Sequence, residues 1–288
     1  MKNLVLIFVI LLLITACSVK EEGSLFNGKD LTGWYSYLAI PDSSVQSDLP
    51  RDSTGQYFQA PGLNNDIFNV FSVVENDGQP AIRISGEVFG ILVTEKEYEN
   101  YHLSLQFKWG EKKFAPRADK KRDSGVLYHS VGKEGAWGGV WMKSQECQVQ
   151  EGDLGDFIVV DTGVAVIPCI FDSLQNVYNY NENGQPLAFT VKYSYCHKSA
   201  DYEKPNGEWN TLEIYTLGDS SVHVVNGQVV MRAYRLNVSE NGKLIPHTRG
   251  KIQLQSEGAE VFYRNIYLEN ITGLPDGIGR ALRAPGNE

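Results

Sequence analysis

Short segments in which apolar and polar residues alternate recur along the chain, separated by residues rich in Gly, Asn, Asp and Pro. In residues 101–109, the clearest case, Leu, Phe and Trp occupy every second position. Because side chains alternate between the two faces of a strand, this pattern predicts a strand with one buried and one solvated face. Similar patterns predict strands at residues 71–74, 81–85, 90–94, 157–160, 164–167, 190–195, 208–215, 221–225, 228–231, 251–255 and 261–268.

No segment keeps an apolar repeat of 3.6 residues, so no helix is predicted in the body of the chain. Asn226 and Gly227 separate two predicted strands, which is the strongest short signal for a hairpin turn. Residues 37–69 and 172–186 are rich in turn-forming residues and are predicted to be loops. Many short strands joined by turns predict an all-β antiparallel sandwich.

The strongest chemical signal lies in residues 122–156. In its strand-like part, Glu146, Gln148 and Gln150 point to one face, while the apolar residues Cys147 and Val149 point to the other. The apolar side seats the strand on a core, so the polar row either faces water or lines a cleft. Trp137 and Trp141 lie just upstream, and these aromatic residues favour the cleft.

The composition is that of a globular protein, with 42% hydrophobic residues in a chain of 288. This length fits one large sandwich domain. The formal charge is −9, and residues 120–122 form a basic run of three, too short for a phosphate-binding stripe. A nucleic-acid partner is therefore not expected.

The N-terminus predicts export. Lys2 precedes an apolar run at residues 4–14 that is too short to cross a bilayer, and small residues then precede Cys17. This arrangement resembles a bacterial lipobox. The resemblance implies that residues 1–16 are a lipoprotein signal peptide, that Cys17 is lipidated, and that residues 17–23 are a tether. The expected location is the bacterial cell envelope, at the outer membrane; an ordinary secretory signal is the alternative.

Three further cysteines are present, and an odd number leaves at least one free thiol in an exported protein. Cys147 falls on the core side of its strand and is expected to be a small buried residue. Cys169 and Cys196 are able to pair, although their spacing alone does not decide it.

Several motifs together resemble one family, the domain of unknown function 1080, now described as the 3-keto-disaccharide hydrolase domain. They occur in family order at residues 25–34, 123–128, 146–156, 209–213, 225–227, 250–258 and 263–266. The resemblance implies a concanavalin A-like jelly-roll sandwich over residues 24–273, followed by a tail at residues 274–288. It also implies similarity to family 16 glycoside hydrolases. The chain departs from the family pattern at Ser256-Glu257-Gly258, where many members have Asp-His-Gly.

By this resemblance, the expected reaction is cleavage of glycosides that are already oxidised at C3. The ketone makes the C2 proton acidic, so a base removes it, the C1 substituent leaves by elimination, and water adds to the enone. Such a site needs a base, donors for the enolate oxygen and an acid for the leaving group. Direct hydrolysis between two opposed carboxylates is the alternative chemistry.

Three residues are candidates for catalysis. Glu146 is predicted to be the base, because it lies on the polar face of the central strand. Asp123 is the candidate second carboxylate, although Asp before Ser-Gly is also common in turns. His129 is a candidate acid or metal ligand, and a satisfied structural histidine is the alternative.

Six residues are candidates for substrate binding, each with a structural alternative. Gln148 is expected to hold a sugar hydroxyl, the aromatic members to stack on a sugar ring, and the basic members to place a positive charge near the enolate. They are Gln148, Tyr128, Trp137, Trp141, Lys108 and Arg264.

No cofactor is assigned. The turn with Glu151, Asp153 and Asp156 is able to bind a divalent cation, but such clusters are usually solvated loops. The chain has no dinucleotide fingerprint, so a separate sugar dehydrogenase is expected to make the ketone. The expected partners are then a carbohydrate and, through lipid, a membrane. A glycan-binding lipoprotein without catalysis is the main alternative, and a structural or adhesive lipoprotein is a weaker one.

Overall fold

The structure, a computed structural model, describes residues 23–280. The predicted signal peptide and Cys17 lie outside these residues, as do the tether up to residue 22 and the end of the tail. Within this range the chain forms the strands β1 (Trp34–Leu38), β2 (Gly62–Leu63), β3 (Phe71–Asn76), β4 (Gln79–Ile84), β5 (Gly90–Thr94), β6 (Tyr98–Glu99), β7 (Tyr101–Lys113), β8 (Asp123–Val131), β9 (Lys143–Gln150), β10 (Phe157–Val160), β11 (Gly163–Asp172), β12 (Val177–Tyr180), β13 (Gln185–Phe189), β14 (Tyr195–Cys196), β15 (Asn210–Leu217), β16 (Ser220–Val225), β17 (Gln228–Glu240), β18 (Lys243–Pro246), β19 (Arg249–Ser256) and β20 (Ala259–Asn270).

The strands form two antiparallel sheets that pack as a jelly-roll sandwich, which confirms the predicted fold class. The first sheet has the order β14-β10-β9-β8-β19-β5-β1-β2, with β6 paired to β19. The second has the order β12-β11-β17-β16-β15-β7-β20-β4-β3, with β13 on β11 and β18 on β17. Neighbours such as β8 and β19 are distant in sequence, so the chain crosses repeatedly between sheets. Residues from distant motifs therefore meet on one face.

The hydrophobic core lies between the sheets and follows the predicted alternation. In β7, Leu103, Leu105 and Phe107 are buried in the main core cluster, while the residues between them are partly exposed. Cys147 and Val149 of β9 also belong to this cluster. The residues that alternate with them therefore lie on the outer face of the first sheet.

Two local predictions need correction. Residues 190–195 are not a strand: Thr190 and Tyr193 close a tight turn, and β14 begins only at Tyr195. Residues 172–186 are not a plain loop, because Asp172 accepts backbone hydrogen bonds that reverse the chain and allow β12 to pair with β11. The hairpin prediction is confirmed, since Asn226 and Gly227 join β16 to β17 with φ angles of 49° and 80°.

Cys147, Cys169 and Cys196 are all buried free thiols, so the open question of pairing is answered against a disulfide. Among residues 23–280, no helix has the length and apolar character needed to span a bilayer.

Candidate active site

The outer face of the first sheet carries a continuous row of residues across five strands, β14, β10, β9, β8 and β19. Glu146 pairs with Ile158 on one side and with Leu127 on the other. The row continues through Ile158 to Tyr195, and through Leu127 to Gln253. Residues that face each other across antiparallel strands project from the same side of the sheet. Glu146 therefore lies in the middle of a face that leads to the aromatic ring of Tyr195.

A parallel row lies next to it and provides the floor beneath Glu146. Gln148 pairs with Gly125, and Gln255 pairs with Ile91 of the neighbouring strand. A side-chain carbon at position 125 would overlap the carboxylate Oε1 of Glu146 and would approach Gln255 Oε1 to 2.6 Å. Glycine at this position thus makes room for the carboxylate and the amide to lie over the backbone of β8.

Two more carboxyl groups and one guanidinium group complete what we call the carboxyl cluster, made of Glu146, Asp123, Glu257 and Arg117. Arg117 Nη2 forms an ion pair with Asp123, and its Nη1 lies 3.7 Å from Glu257 Oε1. Gln150 Nε2 also donates to Asp123. Arg117 thus pairs with two of the three carboxyl groups, Asp123 and Glu257, so the cluster holds protons more tightly than isolated carboxylates would.

Burial dominates the electrostatics of this cluster. It raises the pKa of Asp123 to about 7, an effect that the nearby Arg117 charge opposes. Burial and the Asp123 charge raise the pKa of Glu257 to about 8. Burial, together with the charges of Glu257 and Asp123, raises the pKa of Glu146 well above its ordinary value. Groups with such raised pKa values in one place are typical of proton-transfer sites.

These pKa values predict that the folded protein loses stability as the pH rises from about 5 to about 8. Asp123 and Glu257 have pKa values of about 7 and about 8 when folded, whereas unfolded carboxyl groups titrate near 4. The folded state therefore holds more protons across this interval, and raising the pH favours unfolding. The thermal midpoint should fall across the interval in the wild type and fall less in Glu257→Gln. Parallel slopes for the two proteins, or a rise in the wild type, would contradict these pKa values.

Two members of this cluster, Glu257 and Arg117, were not predicted from the sequence. Glu257 occupies the position where the chain departs from the Asp-His-Gly family pattern, so the departure itself was the available signal. Arg117 lies in the loop between β7 and β8 and has no motif around it. It becomes recognisable only because β8 and β19 are neighbours in the sheet.

An aromatic wall borders the carboxyl cluster on the β1 and β5 side. Trp141, Tyr35 and Tyr37 pack against the buried residues Ile91 and Val93 on this same outer face. Trp141 is thus partly buried beside the site, as a wall residue. Trp137, which pairs with Trp141 across a short turn, is 40% exposed. The structure therefore places Trp141 in the wall beside the site and Trp137 in the exposed turn that adjoins Trp141.

Tyr128 and His129 are corrections, because both lie in the interior. Tyr128 belongs to the core cluster, and its hydroxyl lies 2.7 Å from Ser221 Oγ. His129 sits at a bulge in β8 with φ of 53°, and its Nδ1 lies 2.9 Å from the His247 carbonyl oxygen. Burial lowers the pKa of His129 to about 3. Neither side chain reaches the carboxyl cluster, so their predicted roles in stacking and acid catalysis are wrong.

Lys108 and Arg264 are also misplaced by the prediction. Both lie on the outer face of the second sheet, on the far side of the core. Arg264 covers the ring of Trp209 at 3.7 Å, and Lys108 Nζ donates to Asp77 at 2.7 Å. The alternation predicted for their strands, β7 and β20, was correct. The sequence did not show, however, that both strands belong to the second sheet. Neither residue can place a charge near an enolate at Glu146.

The acidic turn at residues 151–156 lies beside His197, and together they bring close to one another three residues of the types that bind metal ions. Asp153, Asp156 and His197 each offer an atom, all within 4.8 Å of one another. The chain already supplies cations here: Lys121 Nζ lies 2.6 Å from Asp153, and Lys198 Nζ lies 3.8 Å from Asp156. These contacts favour an internal charge network. The third predicted residue of this turn, Glu151, pairs instead with Arg122 at 2.6 Å.

A cavity of about 600 Å³ opens at the β14 edge of the first sheet. Its lining includes Gln150, which hydrogen bonds to Asp123, and Tyr195, which shares a row with Glu146. The Glu146 charge also contributes to a raised pKa of Tyr195, after burial and Asp156. The cavity therefore adjoins the carboxyl cluster through Gln150, although none of the four cluster residues is part of its lining.

The comparisons with known proteins agree with the family suggested by the motifs. Residues 21–269 match the 3-keto-alpha-glucoside-1,2-lyase-like domain. No curated protein matches the sequence. A solved structure of a "putative glycosyl hydrolase" from Parabacteroides distasonis ATCC 8503 is 20% identical, with a TM-score of 0.47 over 86% of this chain and 92% of that one.

Another solved structure, the carbohydrate binding module CBM66 from Bacillus subtilis, is 11% identical, with a TM-score of 0.40 over 69% of this chain and 92% of that one. The family match spans nearly all of the described strands and includes the residues of the carboxyl cluster. The protein thus has a function that concerns carbohydrates, and the chain belongs to the 3-keto-alpha-glucoside-1,2-lyase-like domain family.

Proposed function

We propose that the protein cleaves 3-keto-glycosides by elimination across C1 and C2, with Glu146 as the base. The observation that carries this proposal is a buried carboxyl group, on the solvent side of its sheet, clustered with two other carboxyl groups and Arg117. In its ionised form, a carboxyl group with a raised pKa is a stronger base than a solvated carboxylate, which suits removal of a proton next to a ketone.

In the proposed reaction, Glu146 takes the C2 proton and the electron pair forms an enolate with the C3 ketone. The enolate collapses to an enone as the C1–O bond breaks, and the glycosidic oxygen leaves with that electron pair. Water then adds at C1 and a proton returns to C2, so the net change is the addition of one water molecule.

The rest of the cluster suits the negative charge that develops on the C3 oxygen. With a pKa of about 8, Glu257 is mostly neutral at pH 7 and able to donate a hydrogen bond. Arg117 supplies the positive charge in the cluster. Donors placed where charge develops are usually a large part of catalysis.

The second candidate function is glycan binding without chemistry, and the aromatic wall of Trp141, Tyr35 and Tyr37 favours it. A pure binding site has no need for three buried carboxyl groups with raised pKa values, because burying such groups costs folding stability. The carboxyl cluster therefore favours catalysis over glycan binding alone.

Isotope incorporation tests the proposal. The protein is incubated in deuterated water with a 3-keto disaccharide or with the matching ordinary disaccharide. Elimination and hydration predict release of monosaccharides from the keto substrate alone, with deuterium at C2 of the keto product. The keto monosaccharide incubated alone measures background exchange.

Each other outcome of this experiment overturns a stated part of the proposal. Cleavage of the ordinary disaccharide without deuterium would indicate direct hydrolysis. Binding of the keto substrate without cleavage would indicate the glycan-binding function.

We also propose that the protein is anchored through Cys17 at the bacterial outer membrane and acts after a separate sugar dehydrogenase. The lipobox-like sequence supports the first statement. The chemistry supports the second, because elimination needs a ketone that an ordinary glycoside lacks.

A further inference from the structure

The cavity beside the carboxyl cluster has the surroundings of a second sugar subsite. Four aromatic side chains and one imidazole line it, together with Gln150 and Asp153. Aromatic rings pack against the C–H faces of sugars. The five are Phe171, Tyr178, Tyr193, Tyr195 and His197.

His197 is held in a fixed orientation at the wall of this cavity. Its Nδ1 lies 2.8 Å from Asp156 Oδ2, and Asp156 is fully buried. Asp156 is itself fixed, because its other oxygen accepts the Lys198 backbone N–H at 2.8 Å. This contact through Nδ1 directs the opposite nitrogen, Nε2, away from the buried carboxylate, on an imidazole that is 32% exposed.

The spacing places this imidazole across one sugar from the proposed base. Glu146, Ile158 and Tyr195 face one another on three successive strands, which spans about 10 Å at the usual strand spacing. His197 follows Tyr195 by two residues and packs against its ring at 4.7 Å between centroids. A substrate with its keto sugar over Glu146 would therefore extend its leaving group toward His197.

We propose that this cavity binds the leaving sugar and that His197 is the catalytic acid for the departing glycosidic oxygen, with Asp156 as its positioning residue. The inference rests on the proposed function and adds the group that completes the elimination. It also gives a role to a histidine that no sequence motif marked.

His197 and Glu146 together account for every proton that is transferred in the reaction. As the C1–O bond breaks, the oxygen takes the bond's electron pair and accepts the proton of His197 Nε2, which leaves a neutral imidazole. Neutral His197 then accepts a proton from the water that adds at C1. Protonated Glu146 exchanges its proton with solvent and then delivers a proton to C2, so both side chains end as they began.

The test compares two substrates that differ only in the leaving group. His197→Gln should lower turnover of a 3-keto disaccharide by roughly 100-fold or more, because a sugar alkoxide leaves poorly without a proton. Turnover of the matching 3-keto nitrophenyl glycoside should fall by less than about fivefold, because nitrophenolate leaves unaided. Asp156→Asn should also lower turnover of the disaccharide more than that of the nitrophenyl glycoside, but by a smaller factor than His197→Gln.

Three controls separate this role from a structural one. His102→Gln, on the outer face of the second sheet, should leave both rates unchanged. Exchange of the C2 proton in a 3-keto C-glycoside, which has no leaving group, should persist in His197→Gln and shows that the base is intact. Equal losses for both substrates, or full disaccharide activity, would overturn the role of His197. If the wild type cleaves neither substrate, the proposed function is itself wrong and this inference falls with it.

Discussion

Replacing Glu146 with glutamine is expected to lower turnover of a 3-keto disaccharide by about 10²- to 10⁴-fold, the usual contribution of a general base. Glutamine keeps the size of the side chain and its contact above Gly125, but it cannot accept the C2 proton. Binding of the disaccharide should remain within a few-fold of the wild type, because the neighbouring amides and the aromatic wall are unchanged. The measurements are steady-state turnover and calorimetric binding.

The stability of this variant provides an independent check. The pKa of Glu146 is raised because its charged form is poorly solvated, so the neutral amide should not lower the thermal midpoint at pH 8. Glu269→Gln is the matched control, since Glu269 lies on the second sheet with its side chain 59% exposed. Full activity in Glu146→Gln would exclude this residue as the base, and equal losses in both variants would point to a nonspecific effect.

Replacing Gly125 with alanine is expected to reduce turnover about 100-fold while the protein still folds. The added methyl group would overlap the ends of Glu146 and Gln255, which are flexible side chains that can swing aside. The carboxylate is then displaced by about an ångström or more from its productive position, and displacements of this size commonly cost about two orders of magnitude in rate. The stability cost should be about 1–3 kcal/mol, as for other overpacked sites.

Gly110→Ala is the matched control for this substitution. Its added carbon would approach Glu260 Oε2 on the second sheet in the same way, and Glu260 pairs with Arg83 there, outside the carboxyl cluster. This control should lose stability but keep its turnover per folded molecule. Turnover in Gly125→Ala equal to that of Gly110→Ala would show that the position of Glu146 is not critical.

The sequence predicted orientation within strands better than it predicted which strands meet. Alternation correctly placed Glu146 and Gln148 opposite the core residues Cys147 and Val149, because a period of two determines the face directly. The same reasoning failed for Tyr128. Nearly every residue of β8 is buried, so its sequence does not distinguish the core face from the face that carries the site.

The sequence also did not predict which distant segments of the chain lie together in the fold. Lys108 and Arg264 alternate as predicted, but their strands belong to the second sheet, and local pattern does not encode that assignment. Arg117 and Glu257 join Asp123 only because β8 and β19, separated by more than a hundred residues, lie side by side. His197 was missed because it follows a turn that resembled a strand in sequence.

The excess of carboxyl groups over guanidinium groups also restricts which sugars the pocket admits once the pH exceeds about 8. Asp123 and Glu257 are then ionised, and a sulfated or phosphorylated glycoside, or one built from uronic acid, would bring a further anion next to two carboxylates that share Arg117. Repulsion between like charges in a poorly solvated site is strong. Anionic glycans should therefore be excluded more strongly as the pH rises, whereas the acceptance of neutral hexosides should not depend on this charge.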